Sequence, residues 1–179
     1  MKTISTVALS LAAWVGGAVA ADALSLTSPD IKEGGTIDLE QVFSDCKGKN
    51  ISPALTWSGA PENTKSFALD LYDSDAPAGF WHWVVFNIPV ATTSLAKGAG
   101  DPKSAAAPRG AIQGRTDFGF AGYGGPCPPP GPAHHYIFTV YAVDVDKLDA
   151  GENATAAVVG IKLHYHTIAK ASLTALYGQ

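Results

Sequence analysis

Four side chains able to carry protons or hold anions stand where the apolar pattern of the chain changes: Asp73, His82, His134 and Tyr136. An imidazole gains and loses a proton near neutral pH, and a carboxylate held beside it favours the charged form. A charged histidine and a tyrosine hydroxyl would together donate hydrogen bonds to phosphate oxygens. A lone carboxylate would repel the same anion, so Asp73 has to act through a histidine and not on the ligand itself. Two histidines and one carboxylate are also the ligand set of mononuclear iron oxygenases. His82, His134 and Asp73 therefore carry a metal-dependent enzyme as the rival reading. Each residue has an ordinary structural use as well: Asp73 as a turn cap, His82 in an aromatic cluster with Trp81 and Trp83, His134 as a solvated loop residue.

The elements that would position these groups are mostly strands. Ser66 to Asp73 alternates, with Phe67, Leu69 and Leu71 on one face and Asp73 following on the same parity. Trp83 to Ile88 is apolar on both faces and ends at Pro89, with His82 at its entrance. Tyr136 to Val143 is the clearest strand; the two-residue repeat puts His134 on the face of Tyr136 and turns His135 away. Residues 91–133 are rich in Gly, Pro and Ala and read as long loops over a scaffold. Near the C-terminus Ala154, Ala157, Val158, Ile161, Tyr165 and Ile168 recur at three- and four-residue spacing behind Asn153, an N-cap residue type. They predict one amphipathic helix, followed by a strand through Ala171, Leu173, Ala175 and Tyr177.

Gly124 to Tyr136 sets Cys127 and five prolines ahead of the histidine pair. Proline fixes φ and removes backbone donors, so this stretch reads as a stiff rim that presents His134 and Tyr136. Lys2, the apolar run Val7 to Val19 and the small-residue pattern Ala18-Val19-Ala20 read as an export leader over residues 1–20. A single domain over 21–179, periplasmic or secreted, would remain. Loss of Lys2 would make that chain more acidic than its formal charge of −4. It has no basic run for nucleic acid, and no later segment suits an integral membrane span. In an exported chain the two cysteines, Cys46 and Cys127, read as a disulfide. His164 and His166 share a helix end but point to opposite sides, which makes them poor joint ligands. A hydrolase lacks its nucleophile here, because no Gly-x-Ser-x-Gly elbow is present. Asp117-Phe118-Gly119 stands without the other kinase motifs.

Several ordered motifs together resemble the phosphatidylethanolamine-binding protein family. They are Asn50-Ile51-Ser52-Pro53-Ala54-Leu55-Thr56-Trp57, Asp73-Ser74-Asp75-Ala76-Pro77, Trp81 through Pro89, and Pro128-Pro129-Pro130-Gly131 leading to His134-His135-Tyr136. Gly114 to Gly119, Gly122 to Gly125 and His164 to Tyr177 look like its bacterial Raf-kinase-inhibitor-like branch, the YbhB/YbcL type. The resemblance implies a mainly β domain of antiparallel sheets packed sandwich-like, with no cofactor and a pocket for small anions such as a phospholipid head group. It implies pocket positions at Asp73, Pro77, His82, His134 and Tyr136, with Gly125, Pro128 and Pro129 as the loop wall. A protein target, as for a kinase or protease inhibitor, comes with the family name. Ser74 where many members have proline, and the short spacer from Gly131 to His134, are departures that bear on loop shape.

Overall fold

The computed structural model describes residues 23–104 and 106–179. The expected leader, residues 1–20, lies outside them. Eight strands, one helix and a short 3-10 turn follow in order: β1 (Ser25–Thr27), the turn (Ser44–Cys46), β2 (Leu55–Ser58), β3 (Ser66–Asp73), β4 (Phe80–Pro89), β5 (Ser94–Leu95), β6 (Ile112–Gln113), β7 (His134–Val143), α1 (Ala156–His166) and β8 (Thr167–Tyr177). They form two antiparallel sheets, a small one ordered β1-β2-β5 and a large one ordered β6-β4-β3-β7-β8.

The large sheet is buried on both faces. Phe67, Leu69, Leu71, Trp83, Val85, Phe138 and Val140 pack toward Leu26, Leu55 and Trp57 of the small sheet. Ala68, Val84, Phe86 and Val143 pack on the other side with Ala156, Val159 and Leu163 of α1. This double burial explains why β4 is apolar at successive positions and does not alternate. No helix among the described residues is long and apolar enough to cross a membrane.

Two β-bulges interrupt the β3–β4 pairing. One falls at Asn87, whose φ of 57° is left-handed and whose side chain exchanges hydrogen bonds with the Leu148 backbone, accepting from its N–H at 2.7 Å. At the other, Leu71 faces Trp83 and Tyr72 faces Trp81, so His82 is the extra residue.

The C-terminal helix exists, but its inward face is not the one the spacing predicts. Val158, Ile161 and Tyr165 are exposed, Tyr165 at 74 %, and the buried stripe is Ala156, Val159 and Leu163. Both stripes satisfy the same helical period. Docking over Val84 and Phe86 leaves room for the smaller residues, and tertiary packing selects between them. The N-cap is Thr155, whose hydroxyl accepts from Val158 N–H, and not Asn153. The chain then passes directly into β8 at Thr167, which places Ile168 in a strand. The loop expectation for 91–133 holds apart from the two-residue strands β5 and β6.

Candidate functional site

Strand pairing brings the site together. β3 and β7 are antiparallel with Asp73 opposite Tyr136, so the last carboxylate of one strand lies beside the first aromatic of the other. One residue pair further out, His134 donates from Nδ1 to Asp73 Oδ2 at 2.8 Å. Asp73 Oδ1 accepts from the backbone N–H groups of Asp75 and Ala76 at 2.9 and 3.2 Å, which closes the turn after β3 in spite of Ser74. Both carboxylate oxygens are therefore engaged within the protein, and His134 is left with Nε2 as its free nitrogen. His135 points the other way and pairs in solvent with Asp75.

The bulge at His82 re-aims that side chain. In a regular ladder His82 would oppose Tyr72 and share its face; the extra residue turns it toward the side occupied by Trp83 and Tyr136. Its ring meets Tyr136 edge to face, with centroids 5.2 Å apart, and His134 lies on the same tyrosine at 6.4 Å. His82 Nδ1 is 2.9 Å from the Gly124 carbonyl and 3.1 Å from that of Gly125. Carbonyls only accept, so Nδ1 carries the proton and Nε2 presents a lone pair. Burial pushes His82 below the ordinary histidine range, against the opposing pull of those carbonyls and of Asp73. Asp73 thus pairs with His134 and not with His82, whose burial favours the neutral ring.

Tyr136 is fully buried, and its hydroxyl makes no hydrogen bond of good geometry among the described residues, although the Asp73 carboxylate lies close enough to act on it. Burial, reinforced by the nearby Asp73 carboxylate, pushes its ionisation well up, so the phenol remains a donor. An unpaired buried hydroxyl costs about 1–3 kcal/mol unless something in the cavity answers it.

The four residues surround one cavity of about 190 Å³, room for roughly six waters. Pro77, Pro128 and Pro129 line it as expected. Ala76, Phe80, Phe118 and Cys127 also line it, although nothing in their spacing announced them. Phe118 stands between Phe80 and Phe43, with centroids at 4.8 and 4.7 Å, and makes one wall aromatic. Gly125 does not line the cavity. It backs His82 through its carbonyl, and a Cβ there would run into the Gln41 carbonyl. The Pro-rich rim is held by the Cys46–Cys127 disulfide, by Phe43 N–H donating to Pro126 O at 3.0 Å, by Gly125 N–H donating to Asn50 Oδ1 at 2.7 Å, and by Gln179 donating to Pro128 O. The disulfide closes a separation of 81 residues, for which loop entropy gives about 4.5 kcal/mol at most.

The metal-ligand arrangement does not assemble. Among the described residues no three His, Cys, Asp or Glu side chains group as a metal site. Asp73 spends its oxygens on His134 Nδ1 and the turn. His164 and His166 are also separate: His166 pairs with Asp144 at 2.9 Å, while His164 borders a groove on the helix side of the sheet.

Residues 27–178 match the family model described as phosphatidylethanolamine-binding protein. The chain belongs to this family. It is 45 % identical to the UPF0098 protein YbcL of Escherichia coli K12 over 182 residues, covering 99 % of this chain and 98 % of that one. It is also 45 % identical to YbhB of the same organism, covering 86 % of this chain and 99 % of that protein. The crystal structure of E. coli YbcL, described as a new member of the mammalian PEBP family, superposes with a TM-score of 0.85 at 47 % identity, covering 88 % and 99 % of the two chains. A Chlamydia trachomatis homologue of the family gives 0.75 at 33 % identity, covering 88 % of this chain and 98 % of that one. The mainly β architecture with two antiparallel sheets and one C-terminal helix is that of the family.

Proposed function

We propose that this chain is an exported binding protein whose cavity takes a small phosphate-bearing anion, with a phospholipid head group or a free phospho-compound as the source. The observation that carries the reading is the unpartnered Tyr136 hydroxyl between two imidazoles with free Nε2 atoms. The groups divide the work. His134, oriented by Asp73, donates to a phosphate oxygen when protonated; Tyr136 donates a second bond; neutral His82 accepts from a P–OH. This set suits a singly protonated phosphate better than a fully ionised one. The aromatic and proline walls accommodate the carbon chain attached to the phosphate.

Binding, not turnover, is the role these groups support. The one cysteine sulfur at the cavity is tied up in the disulfide, and the tyrosine resists ionisation, so neither offers a nucleophile. The disulfide also fits an oxidising compartment, in line with an export leader. Calorimetric titration with inorganic phosphate and with phosphoethanolamine tests the reading. Saturable binding that His134→Ala weakens at least tenfold supports it, and heat that is unchanged in the variant moves the ligand elsewhere. The ratio of the two affinities reports whether the head group adds anything to the phosphate.

A further inference from the structure

The opposite face of the large sheet holds a second hollow. A groove of about 370 Å³ opens between α1 and the strands, bordered by Asp70, Trp81, Tyr141, His164, Thr167 and Lys170. Asp70 sits in the middle of β3, 8 % exposed, and its Oδ2 accepts from the Tyr141 hydroxyl at 3.0 Å. Among the described residues no lysine, arginine or histidine reaches it at ion-pair distance. Lys170 is an exposed side chain that acts on Asp70 only through space. Buried carboxylates are ordinarily paired, and among the described residues Asp70 has no counter-charge in contact. Thr167 Oγ1, on the same groove, is buried without a partner as well.

We propose that this groove is a second binding site, for a small primary ammonium. Asp70 supplies the counter-charge, Thr167 Oγ1 accepts one N–H, and the Trp81 and Tyr141 rings flank the cation. An anion would be drawn by Lys170 and His164, but both are exposed and sit at the rim, whereas the buried group is the acid. An anion would have to settle against a carboxyl group; an ammonium competes only with the through-space pull of an exposed lysine. The groove is on the far side of the sheet from the Asp73–His134 cavity and requires nothing of the ligand bound there.

Proton linkage gives the site a sign. Burial raises Asp70 to about 7, against the opposing pull of Tyr141, Trp81 and Lys170. An ammonium binds the ionised form, so affinity rises with pH across that value. From pH 6 to pH 8 the ionised fraction grows roughly tenfold. His164 from α1 and Lys170 from β8 also face the ligand, and positive charge on either opposes an ammonium. Tyr141 from β7 has its ionisation pushed up by burial and then by Asp70, so it stays a donor throughout.

The test is an NMR titration with n-butylammonium at pH 6 and pH 8, following the Trp81 indole N–H and the Thr167 amide, with inorganic phosphate as comparator. Saturable shifts at both probes, roughly tenfold tighter at pH 8, are expected. Asp70→Asn should abolish them, and Lys170→Gln, which removes an exposed competitor, should tighten binding at least twofold. Silence at both probes, a response to phosphate in place of the amine, or weaker binding in Lys170→Gln would overturn the assignment. So would amine shifts confined to Phe80, Phe118 and Tyr136, which belong to the other cavity. Lys170→Gln keeps the proposal testable if Asp70→Asn does not fold.

Discussion

His134 Nδ1 and Asp73 Oδ2 meet at 2.8 Å across two neighbouring strands, with Asp73 otherwise spent on its own turn. The carboxylate thus fixes one imidazole tautomer, and in the proposed reading it acts on the ligand through that ring. Asp73→Asn keeps the shape and removes the charge. It should weaken phosphate binding on the order of tenfold, the worth of one charge-assisted bond over a neutral one, and should flatten the pH dependence of affinity. Calorimetry between pH 5.5 and pH 8 checks both; an Asn variant with wild-type affinity and slope would remove Asp73 from the account.

Two buried titratable groups give stability opposite pH slopes. Asp70 is raised from 3.8 to about 7 by burial, so its contribution is whole below about pH 4 and is lost as pH climbs to 7. The loss is as much as about 4 kcal/mol at 1.36 kcal/mol per unit. His82 is lowered by burial from 6.5, so the unfolded chain takes up its proton first and stability falls as pH drops below 6.5. Urea unfolding from pH 4 to pH 8 should show the Asp70 slope in the wild type and its absence in Asp70→Asn. A slope that survives the substitution would mean that another group carries it.

The rim of the cavity should be stiff because it is fastened at several points. Gly125→Ala places a methyl against the Gln41 carbonyl and the Phe43 backbone and should cost about 1–3 kcal/mol as an overpacking change. It should also weaken phosphate binding, since Gly125 O holds His82. Thermal melts and phosphate titrations of the same variant separate the two effects; full stability with full affinity would show that the backing is unimportant.

The two stripes of α1 should respond in opposite ways. Val159→Ala empties part of the packing against Val84 and Phe86 and should cost about 1–3 kcal/mol. Ile161→Lys, at a position 60 % exposed, should fall within about 0.5 kcal/mol of wild type. Reversal of that order in chemical denaturation would restore the face that the spacing predicts.

The strands β3 and β7 were legible because alternation and burial agree there. The two-residue repeat that aligns Phe67 with Asp73, and His134 with Tyr136, is a property of any regular strand, whereas the pairing of Asp73 with Tyr136 depends on the register between the two strands. His82 was legible as a residue type but not as a direction. Its orientation depends on a bulge, a register event between two strands that no single strand encodes. The short strands β1 and β2 were missed because three or four residues are too few to show a period. Phe118 and Phe80 reach the cavity through loop and ladder geometry, so their apolar type read only as core. Asp70 was passed over because it lay on the polar side of an alternating strand, and only the docking of α1 makes that side an interior.

The most direct measurement is an NMR titration of residues 21–179 with inorganic phosphate that follows the imidazole C–H signals of His82 and His134 and the ring of Tyr136. The account predicts that all three shift together with one saturation curve, that binding weakens as pH rises from 5.5 to 8, and that His134→Ala loses the response at Tyr136. Saturable phosphate binding that leaves those three rings unmoved would contradict it.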